Sequence, residues 1–291
     1  MIAIYCQESS PRIDFIFNLI LKDLLGLKYE IISEVDEFLA YKGSKICYSE
    51  VEIAGFWVRS SSLLRESHIR DVPLRFDFDQ DHFLLDDDDF FDPFAASFYL
   101  VSRYEEYLDY EADDHGRFPA TESVLYQYQK LKEPLVNFWA LELKDQLRDF
   151  FPNLLFKPRK FEYLSTIDID QAFKYKHKGS KRNLGGFIRD ILRGDWNLAR
   201  ERIGILFGGN PDPFDNFDWQ LEIHKEKETQ VQYFIQVGDH GEFDKNLRHD
   251  HDAFIEIIKK LDKHHEVGIH PSYQSNNVKA LVATEKKRLE S

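Results

Sequence analysis

The sequence predicts an α/β fold in two parts, an N-terminal α+β domain over residues 1–157 and a series of βα units over residues 158–291. Three observations lead there. Strand-like and helix-like segments are mixed without strict order in the first half, they alternate from residue 161 onward, and FPNLLFKPRKFEY between the halves carries two prolines. A chain of 291 residues suits about two domains, and 43% hydrophobic residues with 25 Phe and 14 Tyr supply enough apolar surface for a core in each.

MIAIYC opens the chain as a strand. Ser10 and Pro11 then start a helix whose apolar residues Ile13, Ile16, Phe17, Ile20 and Leu24 recur at helical spacing, and Gly26 ends it. YEIIS, KICYS and GFWVR read as short strands. Asp92 and Pro93 start a second helix, FAASFYLVSRYEEYL, whose aromatic stripe is expected to pack on a sheet, and PLVNFWALELKDQLRD over 134–149 makes a third. The acidic run DDDD at 86–89 lacks the oxygen spacing and glycine of a calcium loop, so it reads as a solvated loop ahead of the helix. Cys6 and Cys47 lie in separate strands and are expected to be buried free thiols.

In the second half FEYLSTID, VQYFIQVGD and EVGIH are the strands. DNFDWQLEIHKEK, DAFIEIIKKLDKHH and VKALVATEKKRLE are the helices, the second with Phe254, Ile257, Ile258 and Leu261 on one face. Repeated βα units argue for a parallel sheet or a barrel. Side chains alternate along a strand, so Thr166, Asp168 and Asp170 share one face while Ile167 and Ile169 take the other. The strands end on polar residues: Asp168 and Asp170, then Asp239, then His270. In α/β barrels that rim is where chemistry is assembled. Asp239, His240 and Tyr273 are placed around it as substrate contacts, although the glycines of GDHGEFDKN also suit an ordinary turn. RNLGGF at 182–187 has neither the dinucleotide nor the P-loop pattern, and Lys286, Lys287 and Arg288 read as a solvated helix face.

The formal charge of -14 sets the chain against nucleic acid and anionic lipid at long range, so neither nucleic acid nor a membrane is an expected partner. Apolar runs fall short of the roughly 20 residues that cross a bilayer, and MIAIYCQESSPR lacks the basic start of a signal peptide, so a cytoplasmic location is expected.

Two neighbouring carboxylates repel, and a divalent cation between them removes that cost. In HHEVGIHPSYQS, His270 ends a strand and Pro271 stops the ladder, which leaves an imidazole at the rim. Aspartate with histidine and open positions for water is the ligand set of a catalytic zinc or a similar ion. A hydrogen-bonded polar cluster at a strand end is the other reading of the same residues.

TIDID followed about 100 residues later by HEVGIHPSY resembles the polysaccharide deacetylases, the NodB-type carbohydrate esterases, whose motifs are typically TFDDG and HEIGxH. FDPFAASFYLVSRYEEYL, DDHGRFPATES and RNLGGFIRDIL are similar to phrases of a two-domain subgroup with an uncharacterised N-terminal domain. The resemblance implies a metal-dependent hydrolase that removes acetyl groups from N-acetylated saccharides. It places the catalytic base on Asp168 and the metal, zinc by expectation, on Asp170 and His270. Gln274 stands where the family has a second metal histidine, and a neutral amide oxygen is the poorer ligand. The resemblance also implies a barrel of deacetylase type. Residues 161–291 hold three βα units, fewer than a closed barrel of about 200 residues or more needs, so an incomplete barrel is expected. Its open strand edges and apolar inner face would favour self-association, with little or no turnover.

Three other readings compete. A haloacid dehalogenase phosphatase would need Thr or Val where Ala172 stands. A DxD-type glycosyltransferase would hold a manganese-bound nucleotide sugar on Asp168 and Asp170, and Gln274 suits a non-catalytic deacetylase-like binding or scaffold module. HEVGIHP favours the deacetylase over the two other enzymes.

Overall fold

The computed structural model describes residues 1–158 and 160–291. The chain forms two compact units, Met1–Arg159 and Lys160–Ser291. Among the described residues no helix is long and apolar enough to cross a membrane.

The first unit runs β1 (Ile2–Tyr5), α1 (Pro11–Phe17), β2 (Tyr29–Ile32), α2 (Val35–Ala40), β3 (Lys45–Ser49) and β4 (Phe56–Arg59). It continues through β5 (Leu74–Asp77), β6 (His82–Leu85), α3 (Pro93–Val101), α4 (Val124–Gln127) and α5 (Leu135–Phe150). Strands β2-β1-β3-β4 form one sheet in that order with every pair parallel. This corrects the α+β expectation: the main sheet is of α/β type, because α1 and α2 return the chain so that successive strands run the same way. The antiparallel part is the separate β5–β6 hairpin. No helix joins β3 to β4; the chain doubles back tightly at Gly55, whose φ of +79 and lack of a side chain are both needed, since a Cβ would stand 2.3 Å from the Lys45 carbonyl oxygen.

Local caps act as the sequence suggests. The Ser10 hydroxyl accepts the Ile13 N–H, and the Asp92 carboxylate accepts those of Phe94 and Ala95 at the start of α3. α3 stops at Val101, short of the expected helix, and Arg103 has a φ of 53. Phe17, Tyr48 and Phe94 meet edge to face in the core beside Trp139 and Leu143 of α5. Cys6 and Cys47 are free and buried. The acidic loop is less solvated than expected, for Arg70 binds both oxygens of Asp86 at 2.6 Å.

The second unit runs β7 (Leu164–Ile169), α6 (Gly179–Leu192), α7 (Trp196–Leu206), α8 (Phe217–Glu226), β8 (Gln230–Gln236), α9 (Asp252–Asp262), β9 (Glu266–His270) and α10 (Ala280–Glu290). Helices α6 and α7 stand outside the alternation read from the sequence. The three strands form an open parallel sheet in the order β7-β8-β9. Ile169, Tyr233 and Ile235 on one face pack with Phe217 of α8 and Phe254, Ile257 and Leu261 of α9. The other face is not the apolar surface expected. Apart from Leu164 and Phe234 it carries Thr166, Asp168, Gln232, Gln236, Glu266, Gly268 and His270, as the strand alternation and register require.

Candidate functional site

The site grows from the register of the sheet. Asp168 pairs with Phe234 and Gln236 with His270, so Asp170, one residue past the last β7 pair, stands level with Gln236 and His270. All three strands are parallel and deliver these side chains to one edge. Gly268 completes the row of Asp168 and Phe234, and glycine is what this row allows, since a Cβ would meet the Phe234 ring at 3.0 Å.

His270 Nε2 lies 3.7 Å from Asp170 Oδ1 and 3.9 Å from Asp168 Oδ2. These gaps are too long for hydrogen bonds. They exceed by a few tenths of an ångström the roughly 3.3–3.6 Å between donors that share a tetrahedral ion. Among the described residues no group of three or more His, Cys, Asp or Glu is already gathered tightly enough to hold an ion. The donor types nevertheless suit one, and the side chains that must move are the accessible ones: the Asp168 and Asp170 carboxylates are 60% and 73% exposed, against 34% for His270. The site is an open shelf.

Buried polar clamps hold the loops behind that shelf. Asn246 Oδ1 accepts the Ala172 N–H at 3.2 Å while its Nδ2 donates to the Gln236 carbonyl at 2.8 Å, which ties the loop after β7 to the end of β8. Asp212 accepts the N–H groups of Lys174, Tyr175, Lys176 and Phe214. Burial works to raise its pKa, and the four N–H bonds outweigh burial and leave it lowered. Glu285 of α10, also buried, accepts the N–H and the hydroxyl of Ser272.

Several expected site residues are engaged elsewhere. Asp239 Oδ2 accepts from Arg288 at 3.0 Å, so Arg288 is no free member of a solvated face; it fastens α10 to the loop after β8. His240 lies among cations, and burial together with Arg182, Lys245 and Lys178 lowers its pKa. The Tyr273 ring lies against Phe243 with centroids 4.1 Å apart and planes tilted by 34°, and its N–H donates to the Asp244 carboxylate. The Gln274 amide nitrogen rests over Gly241, 3.4 Å from where a Cβ would be.

Two residues escaped the sequence reading. Gln236 is only 2% exposed, and neither its amide oxygen nor its nitrogen has a hydrogen-bond partner among the described residues. Its position between Asp170 and His270 was available from the strand period, but its burial was not. Lys178 donates to Gln171 Oε1 at 2.6 Å, next to Asp170, and burial with the nearby Arg182 lowers its pKa to about 8.

Fold and site together define a two-unit α/β protein with a carboxylate–imidazole shelf at the C-terminal edge of its second parallel sheet. A family of unknown function (DUF7033) matches residues 2–152, and the chain belongs to that family. The match covers β1 through α5 and ends before β7. Comparison with curated proteins and with solved structures gave no match.

Proposed function

We propose that the second unit carries metal-dependent deacetylase chemistry on N-acetylated saccharides, on a parallel sheet related to the polysaccharide-deacetylase type. The observation that supports this is the convergence of Asp168, Asp170 and His270 on the polar face at one strand edge. Asp170 and His270 would hold a divalent ion, for which zinc suits a carboxylate with an imidazole, and Gln274 is the further donor if it turns from Gly241. When bound, such an ion supplies a Lewis acid for the acetyl carbonyl and an acidified water. Asp168 takes the proton of the attacking water. The adjacent rings of Phe243 and Tyr273 offer a surface for the apolar face of a sugar.

Calorimetric zinc titration and acetate release from N-acetylglucosamine oligomers test this together. Asp170→Asn and His270→Ala should lose the metal, whereas Asp168→Asn should keep it and lose about a hundredfold to ten-thousandfold in rate. Tight zinc retention by the Asp170 and His270 double variant would overturn the assignment. Zinc and saccharide binding without acetate release by the wild-type chain would favour the binding-module reading instead.

A further inference from the structure

We infer that α6 and α7 form a docking surface for an anionic lipid bilayer. A helical hairpin in water turns its apolar stripes inward. Here α7 buries Ala199 and Ile205, but the contact with α6 is made by an ion pair. Arg202 of α7 donates through Nε and Nη2 to Asp190 Oδ2 of α6 at 3.2 and 2.7 Å and through Nη1 to Asn183 Oδ1 at 3.1 Å, and both charged side chains are buried. Gly186 makes room for that guanidinium, since a Cβ would stand 2.6 Å from Nη2.

The outer surface is apolar instead. Leu184, Ile188 and Leu192 recur every four residues along α6 and are exposed, Leu192 to 81%. Trp196 and Ile203 of α7 are exposed too, as is Phe207 just beyond it, to 85%. Leu184 and Phe187 line one groove of about 830 Å³ with Ile203, Leu206 and Phe207, so the first turns of the α6 stripe and the end of the α7 stripe open into the same groove.

Charge selects the occupant. Between Lys174 and Arg202 the chain has nine Lys and Arg against three Asp and Glu, in a protein where acids outnumber bases 52 to 38; of the nine, Arg202 is buried against Asp190 and Lys174 is paired with Glu201. Lys181, Arg189 and Arg200 are exposed on the same two helices and Arg193 is exposed just beyond α6, Arg189 standing 3.7 Å from the Asp190 carboxylate. Exposed Leu, Ile, Trp and Phe with Lys and Arg beside them are what an interfacial helix needs to place apolar groups at the acyl boundary and cations over phosphates. A second copy docking by this same face would set the two basic surfaces against each other. The net charge of -14, which argued against a membrane, is an average; within a Debye length of about 8 Å a surface meets the local charge.

Co-sedimentation of the full chain with phosphatidylglycerol–phosphatidylcholine vesicles, and with phosphatidylcholine alone, tests the inference. Binding is expected only to the anionic vesicles, with a blue shift in tryptophan emission that the variant Trp196→Phe lacks. The pair Leu192→Ser and Trp196→Ser, and separately the pair Arg189→Glu and Arg193→Glu, should weaken binding by at least about tenfold with an unchanged circular dichroism spectrum. Equal binding to neutral vesicles, wild-type binding by both paired variants, or no vesicle binding would overturn it. In the last case, a dimer in light scattering that the Leu192 and Trp196 changes dissolve would assign the face to self-association.

Discussion

Replacing Gln236 with methionine should stabilise the second unit. The amide is 2% exposed and has no hydrogen-bond partner among the described residues, so folding removes it from water without return. An orphaned buried polar group costs about 1–3 kcal/mol, and methionine removes the polar atoms while filling a similar volume. With a urea dependence of roughly 1–3 kcal/mol per molar, the midpoint should rise by about 1 M. Urea titration followed by hydrogen exchange of the β8 amides, residues 231–236, localises the gain. A methionine variant that unfolds at lower urea than the wild type would refute the reasoning, since the amide would then be satisfied in the folded protein.

Arg202→Ala should destabilise the α6–α7 hairpin by about 3–5 kcal/mol, because it strands the buried Asp190 carboxylate, while Arg202→Met with Asp190→Leu should cost far less; exchange protection over residues 183–202 reads both. In the first unit, burial raises the Asp92 pKa to about 6 from an ordinary 3.8, against the N–H groups of Ser61, Ala95 and Phe94 and the Tyr48 hydroxyl. The folded state then holds the proton that the unfolded chain releases, so this contribution is complete below pH 3.8 and is lost as pH rises through about 6. Asp92→Asn should remove a slope on the order of 2–3 kcal/mol between pH 4 and 7, and urea titrations across that range that show the same slope in both proteins would count against it.

Local periodicity and capping were legible in the chain itself. Ser10 with Pro11, Asp92 with Pro93, and the alternation in TIDID each depend on residues within a turn or a strand of one another, so sequence alone places both aspartates of the candidate site on one face. His270 was legible at its strand end for the same reason. What the sequence could not decide depends on distant partners. Gln236 reads like any polar strand residue until β7 and β9 close on either side of it, and Asp239 and Arg288 are 49 residues apart yet share an ion pair. Gly185 and Gly186 argue against a helix by propensity. Only the Arg202 guanidinium lying across Gly186 explains why a helix with a glycine there packs against α7. Net charge is likewise a sum over the whole chain and does not report where the basic residues of α6 and α7 gather, which only the packing of the two helices decides.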